Sequence, residues 1–284
     1  ATSRGVGLVL GGGGARGFAH LGVFRALTEL GIPVDLVAGS SMGAPLAGGI
    51  ALGNSPDTLV PMVEDFYANL LDYTLPLGSL IKGERINRSI EQAFGGWDFE
   101  DMWIPFRCVS TNLTRSRTEI HRSGPVHPRV RASVAIPGVM PPVPDGDDLL
   151  VDGGALNNLP VDVVAAEGRC STIIAVDVAP TTGPRAKGDY GLSVSGWDAM
   201  KASVGKGKAA YPGITAVLLR SMLVGSLRDR QRVVAEADVD LLLQLDLRGV
   251  GMLEFDNVRP VAQQGYELAK PLIADWLETR GGWA

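Results

Sequence analysis

The sequence of 284 residues predicts an α/β fold with three layers, in which helices cover both faces of a central, mostly parallel sheet. Two observations near the beginning of the chain support this fold class, and each is a short apolar run that is long enough for a buried strand. Each run leads into its own turn containing glycines and then into a helical pattern. A third observation comes from the remaining chain, where apolar strand-like runs alternate with amphipathic helical segments.

The first predicted strand is the apolar run Val6–Leu10, which Gly11–Gly14 ends abruptly. The helix after it is predicted from apolar residues that recur on one face, and Gly31 follows as a residue that can end it. These apolar residues are Ala19, Val23, Ala26, Leu27 and Leu30. A second strand is predicted over 34–38, and it runs directly into the pentapeptide at 39–43.

That pentapeptide, Gly39-Ser40-Ser41-Met42-Gly43, has the G-x-S-x-G pattern of a nucleophile elbow. A serine on such a tight strand-to-helix turn projects its hydroxyl outward. Gly39 and Gly43 have no Cβ, so strand and helix can approach closely enough to make the turn. The helix predicted over 42–53 places its positive end beside Ser41. The pattern therefore predicts that Ser41 is a catalytic nucleophile.

The glycine turn has two alternative interpretations. Gly12-Gly13-Gly14-Ala15-Arg16-Gly17 satisfies G-x-G-x-x-G, which after a strand indicates dinucleotide binding. The second strand, however, ends on the elbow and not on an acidic residue that would hold a ribose, since Asp35 lies at its beginning. The other interpretation is an oxyanion hole built from the backbone amides at 12–14, with Arg16 adding charge or bracing the loop.

A short strand over 149–151 ends at Asp152, which Gly153 and Gly154 follow. Functional sites of open α/β sheets lie at the carboxyl ends of the strands. Because Ser41 and Asp152 both follow a strand directly, we expect them to lie together, with Asp152 as the base. A purely structural role for Asp152, capping the turn made by the glycines, is the alternative. The neighbouring Asn157 and Asn158 are predicted to hold this loop by side-chain hydrogen bonds.

The other elements are predicted from periodicity and from glycine and proline positions. Further helices are predicted over 56–73, 84–94, 213–235 and 258–278, and further strands over 105–112, 118–123, 172–178 and 239–247. Residues 124–147 are rich in proline and glycine and are predicted to form a long structured loop.

Composition narrows the function classes. The chain is 45% hydrophobic and 20% charged, with a net charge of −5, so it lacks the basic surface of a nucleic-acid-binding protein. Cys108 and Cys170 are too few for a disulfide framework, which predicts reduced thiols and a cytoplasmic location. No apolar run is long enough to span a membrane. No metal or cofactor is expected, because the sequence has no His/Cys ligand cluster.

Residues 181–210 differ in character from the rest of the acidic chain. Five basic and two acidic residues there give a local charge of +3, and Trp197 and other apolar residues lie among them. The segment is either a solvated loop or a flap that makes peripheral contact with a membrane.

Three blocks of the sequence resemble the signature of patatin-like phospholipases: the glycine loop at 12–17, the elbow at 39–43 and Asp152-Gly153-Gly154. Residues 131–142, 152–160 and 190–197 resemble the catalytic domain of neuropathy target esterase and its bacterial relatives. The resemblance implies that residues 1–284 form a single patatin-like catalytic domain. Such a domain is expected to be a piece of a longer protein. It also implies a lipid or lysolipid substrate.

The sequence therefore predicts a serine esterase that hydrolyses lysophospholipids or phospholipids through a Ser41–Asp152 dyad and an acyl-enzyme. The histidines are His20, His121 and His127, and all precede Asp152, so the usual order of serine, acid and histidine cannot be completed. The remaining alternatives are a general carboxylesterase for short-chain esters and a nucleotide-binding protein that uses the glycine loop.

Overall fold

The computed structural model describes residues 5–68, 83–183, 185 and 214–281. Eight strands in this part of the chain form one sheet in the order β5-β6-β3-β2-β1-β7-β8, with β4 also paired to β3. The strands are β1 (Gly5–Leu10), β2 (Leu36–Ser40), β3 (Phe106–Asn112), β4 (Arg117–His121), β5 (Val143–Asp145), β6 (Asp148–Asp152), β7 (Cys170–Asp177) and β8 (Leu241–Gln244).

The described helices lie on both faces of this sheet. They are α1 (Ala19–Glu29), α2 (Gly43–Ala51), α3 (Pro56–Tyr67), α4 (Glu84–Phe94), α5 (Val126–Ser133), α6 (Val161–Glu167), α7 (Ile214–Glu236) and α8 (Val258–Thr279). Neighbouring strands β3, β2, β1, β7 and β8 are parallel, whereas β4 and β6 run antiparallel to β3. The predicted three-layer fold with a mostly parallel sheet is confirmed.

Alternation along the strands divides the core into two clusters, one on each face of the sheet. Leu8 and Leu10 of β1 join the larger cluster with the apolar faces of α1 to α5 and α8. Val9 points to the other face, where it packs in a smaller cluster with Val161 and Val164 of α6. Both faces of the central strands are therefore buried, which explains why the sequence there reads as continuous apolar runs.

The predicted loop at 124–147 is wrong in part, because it contains helix α5 and strand β5. Pro125 precedes α5 and Pro128 lies in its first turn. Proline is tolerated at those positions because the first amides of a helix have no acceptor within the helix. The prolines that indicated a loop therefore mark the start of a helix. Helix α5 contributes a residue to the site described below. Helix α6 was also absent from the predicted elements.

Two predictions fall wholly or partly outside the described residues. Helix α3 ends at Tyr67, and the predicted continuation to residue 73 lies beyond them from 69 onward. The segment at 181–210, with its expected membrane contact, lies outside them except for 181–183 and 185. Within the described ranges, no helix is long and apolar enough to cross a membrane. Cys108 and Cys170 are both free thiols.

Candidate active site

The turn after β2 has the geometry of a nucleophile elbow. Ser41 has a φ of 51°, in the left-handed region that non-glycine residues seldom adopt. A side chain on Gly39 would collide with the backbone of Gly43, and one on Gly43 would collide with the carbonyl of Leu10. The two glycines are therefore required for strand and helix to meet, as the G-x-S-x-G pattern predicts.

The strained residue is held by a contact that the sequence does not reveal. The backbone N–H of Ser41 donates to Oγ of Ser133, 3.1 Å away, and Ser133 is fully buried at the end of α5. Because the N–H of a residue at a buried turn needs an acceptor, this contact stabilises the elbow. Ser133 belongs to a helix that the sequence predicted as a loop, so nothing indicated its position.

Strand pairing brings Asp152 to Ser41. Ser40, the last residue of β2, lies opposite Val109 of β3 in a parallel pair. Asp152, the last residue of β6, lies opposite the next β3 residue, Ser110, in an antiparallel pair. Strand β4 pairs with β3 at both positions and occupies its other edge. β2 and β6 must therefore both pair with the remaining edge of β3. At that edge the carboxyl end of β2 lies against the carboxyl end of β6.

This arrangement places Asp152 beside Ser41 as expected, but for a different reason from the one that the sequence suggested. The expectation rested on the common carboxyl edge of parallel strands. β6 is instead antiparallel to its neighbour, and its end abuts the end of β2.

Ser41 and Asp152 form a direct hydrogen bond. Oγ of Ser41 donates to Oδ2 of Asp152 at 2.7 Å, and Oδ1 of Asp152 accepts the backbone N–H of Gly154 at 2.8 Å. Asp152 is fully buried, and Ser41 is 8% exposed. Burial raises the pKa of Asp152 to about 6, although both hydrogen bonds act to lower it. The carboxylate is thus a stronger base than an exposed aspartate and is still ionised at neutral pH.

The glycine loop passes directly beside the nucleophile. A Cβ atom on Gly12 would lie only 2.8 Å from Cβ of Ser41. The N–H of Gly12 already donates to the carbonyl of Asn158 at 3.0 Å, so it is not free to bind an oxyanion. The N–H groups of Gly13 and Gly14, by contrast, have no acceptor among the residues that the structure describes. Of these three glycines, Gly13 and Gly14 therefore keep backbone N–H groups that are free to donate within the described part of the chain.

Arg16 braces the loop that follows β8. Its Nε donates to the carbonyl of Val250 at 2.8 Å, and the N–H of the adjacent Ala15 donates to the carbonyl of Met252 at 2.9 Å. Partial burial lowers the pKa of Arg16. Of the two roles considered for Arg16, these contacts favour bracing.

Asn158 fixes the glycine loop from the opposite side. Its Nδ2 donates to the carbonyl of Gly12 at 3.0 Å, while its own carbonyl accepts the N–H of Gly12. Asn157, one position earlier, instead donates from Nδ2 to Oδ1 of Asp162 at 2.8 Å. Both asparagines make the side-chain hydrogen bonds that the sequence suggested, but only Asn158 reaches the site.

None of the three histidines makes a hydrogen bond to Ser41 or Asp152. Nε2 of His20 donates to the carbonyl of Gly11 at 2.8 Å, and burial lowers the pKa of His20 to about 4. Nε2 of His121 pairs with Oγ of Ser110 at 2.8 Å, and its pKa is also lowered to about 4, chiefly by burial. The ring of His127 contacts Asn87.

The contacts of Asp35 bear on the nucleotide-binding alternative. Oδ2 of Asp35 accepts the N–H of Val6 at 2.8 Å, near the start of β1 and thus at the opposite end of that strand from the glycine loop. It is not placed to hold the ribose of a dinucleotide bound at the loop. Among the described residues, no group of three His, Cys, Asp or Glu side chains is placed to hold a metal ion.

Comparison with known proteins points to one family. The sequence profile described as "Patatin-like phospholipase" matches residues 8–165. Lysophospholipase NTE1 of Mycosarcoma maydis is 36% identical over 282 residues, which are 95% of this chain and 15% of that protein. Patatin-like phospholipase domain-containing protein 6 of Mus musculus is 33% identical over 294 residues, covering 99% of this chain and 21% of that protein. The chain therefore spans only a minor part of the relatives that it matches.

One solved structure supports the fold. The crystal structure of VipD from Legionella pneumophila aligns with 97% of this chain and 67% of its own, with a TM-score of 0.50 and 14% identity. At this identity the likeness concerns the fold alone. The family profile covers more than half of the sequence, including both Ser41 and Asp152. The chain belongs to the patatin-like phospholipase family.

Proposed function

We propose that this chain is a catalytic domain that hydrolyses carboxylic esters of lysophospholipids or phospholipids through a Ser41–Asp152 dyad. The observation that carries the proposal is the 2.7 Å hydrogen bond from Oγ of Ser41 to the buried carboxylate of Asp152. A serine hydroxyl is a weak nucleophile until an adjacent base takes its proton. Here the carboxylate itself is that base, with no imidazole between them.

In the first half of the reaction, Oγ of Ser41 attacks the ester carbonyl carbon while its proton passes to Asp152. The carbonyl oxygen becomes an oxyanion, which the N–H groups of Gly13 and Gly14 stabilise. As the tetrahedral intermediate collapses, the alcohol oxygen leaves with the proton from Asp152, and the acyl group stays on Ser41. Water then attacks this acyl-enzyme, giving up a proton to Asp152, and the acid is released as Oγ recovers that proton.

The raised pKa of Asp152 supports its role as the base. An ordinary aspartate, with a pKa of 3.8, is too weak a base to deprotonate a serine hydroxyl efficiently. Burial brings the pKa to about 6, closer to neutral pH, where general-base catalysis is most effective. The rest of the transition-state stabilisation must come from the oxyanion hole. Its loop is held in place at Gly12 and Ala15, so it does not have to reorganise during the reaction.

The substrate class rests on family membership and on relatives named lysophospholipases. It is tested with a panel of lysophospholipids, diacylphospholipids and short-chain p-nitrophenyl esters. A general carboxylesterase would prefer the short esters over the lipids, whereas a lysophospholipase hydrolyses lysophospholipids best. Activity on none of these substrates would contradict the proposal.

The nucleophile is tested with Ser41→Ala on the same panel, together with labelling by a fluorophosphonate probe. Loss of the nucleophile is expected to abolish labelling and to lower kcat by several orders of magnitude, with the fold intact by circular dichroism. Ser171→Ala, an exposed serine on β7, is the matched control and should behave as wild type. Turnover near the wild-type rate in Ser41→Ala would rule out Ser41 as the nucleophile.

A further inference from the structure

Asn158 carries a buried polar atom that no described residue satisfies. The residue is 3% exposed, and its Oδ1 has no hydrogen-bond partner among the residues that the structure describes, although its Nδ2, N–H and carbonyl are all engaged. The orientation of the carboxamide is fixed, because the Gly12 carbonyl that faces it can only accept, and so must be met by Nδ2. A buried carbonyl oxygen without a donor is unfavourable, so its persistence requires a reason.

The unsatisfied oxygen faces the reacting groups. A Cβ atom on Gly12 would touch both Oδ1 of Asn158 and Cβ of Ser41. A Cβ atom on Gly154 would lie 2.7 Å from Oδ1 of Asn158 and 3.0 Å from Oδ1 of Asp152. Oδ1 of Asn158 therefore lies in the immediate neighbourhood of the base, less than about 6 Å from Oδ1 of Asp152.

The water that hydrolyses an acyl-enzyme needs two acceptors. It must give one proton to the base and direct a lone pair at the acyl carbon on Ser41, so its second hydrogen has to be held elsewhere. An oxygen that only accepts is suited to this, and Oδ1 of Asn158 is such a group beside the base. Asp152 keeps capacity for the water, because each carboxylate oxygen can accept more than one hydrogen bond.

We infer that Oδ1 of Asn158 accepts a hydrogen bond from the hydrolytic water and, with Asp152, orients it for deacylation of Ser41. This inference rests on the proposed acyl-enzyme mechanism. The new bond forms between the water oxygen and the acyl carbon, and the bond from that carbon to Oγ of Ser41 breaks. One water proton passes to Asp152 and then to Oγ. The hydrogen held by Asn158 stays on the released carboxylic acid, which ionises in solvent.

The test separates acylation from deacylation. Acylation is followed as p-nitrophenolate release from a p-nitrophenyl ester in stopped flow, and deacylation as loss of the acyl adduct on intact protein by mass spectrometry. Asn158→Leu has a similar volume but no acceptor. We expect the deacylation rate of this variant to fall at least a hundredfold. The factor by which its acylation rate falls should be at least ten times smaller, so that acyl-enzyme accumulates.

Asn158→Asp is the conservative variant, because it keeps an acceptor oxygen at the same position. Its ratio of deacylation to acylation rates should stay within threefold of wild type, even if both rates fall through the changed contact with Gly12. Asn157→Ala is the matched control, since this neighbouring asparagine is held by Asp162 outside the site. Both rates should be unchanged there.

Two outcomes overturn the inference. If acylation and deacylation fall equally in Asn158→Leu, the residue acts only by holding the glycine loop, and if neither falls, it has no role in the reaction. Should this variant not fold, a crystal structure of the wild-type protein phosphonylated on Ser41 decides, since it must contain a water within 3.2 Å of Oδ1. Failure of the proposed function looks different, because wild-type protein would then neither label on Ser41 nor turn over; that result overturns both.

Discussion

Replacing Asp152 by asparagine is expected to abolish turnover and to stabilise the fold at the same time. Asparagine has the shape of a neutral aspartic acid. Its Oδ1 can still accept the N–H of Gly154, and its Nδ2 can donate to Oγ of Ser41, so packing and hydrogen bonding survive. The base, however, is gone, and the buried charge is gone with it. Loss of the base should lower kcat about a thousandfold or more.

The gain in stability follows from the pKa of Asp152. Its value rises from 3.8 in an exposed aspartate to about 6 in the folded protein, because burial disfavours the carboxylate. The folded state therefore holds this proton more tightly than the unfolded state, and stability falls as pH rises between these two values. At about 1.36 kcal/mol for each pKa unit, the wild-type protein loses about 3 kcal/mol by pH 8. At pH 5 the loss is about half as large.

Urea denaturation of both proteins at pH 8 and pH 5 measures this difference. Asp152→Asn should exceed wild type by up to about 3 kcal/mol at pH 8 and by about half of that at pH 5. Asp229→Asn is the control, because this exposed carboxylate on α7 makes, among the described residues, only a long ion pair of 3.9 Å with Arg232. Its stability should stay within about 0.5 kcal/mol of wild type. An Asp152→Asn protein that is less stable than wild type at pH 8, or that retains turnover, would refute the reasoning.

Three further predictions concern the reaction. The kcat/KM of the wild-type enzyme should fall about tenfold for each pH unit below the Asp152 pKa of about 6 and stay level above it; an acid limb centred near pH 4 would assign the base elsewhere. Each histidine, replaced singly by Gln, should leave kcat within about tenfold of wild type, since none makes a hydrogen bond to Ser41 or Asp152. One folded variant as inactive as Ser41→Ala would instead indicate a catalytic triad. Gly12→Ala should lower the rate of fluorophosphonate labelling at least a hundredfold, because the added methyl group would lie 2.8 Å from Cβ of Ser41. Labelling at the wild-type rate would show that the loop can move aside.

The sequence alone predicted the fold class, the elbow turn and Asp152 as the neighbour of Ser41. These follow from local chemistry: a strand buried on both faces must be continuously apolar, and a turn as tight as that of Ser41 excludes side chains at Gly39 and Gly43. Such constraints act within a few residues of the chain, so they leave a readable pattern. The family blocks added the expectation that Asp152 is the partner of Ser41.

Only the tertiary structure decided how these parts meet. The head-on encounter of β2 and β6 depends on which edge of β3 each strand occupies, and no local pattern encodes that choice. For the same reason the sequence did not distinguish Gly12, whose amide is engaged, from Gly13 and Gly14. Ser133 and Asn158 reach the site across 92 and 146 positions of the chain. Contacts at such separations arise from packing, so no pattern indicated Ser133, and Asn158 was predicted only to hold its own loop after Asp152.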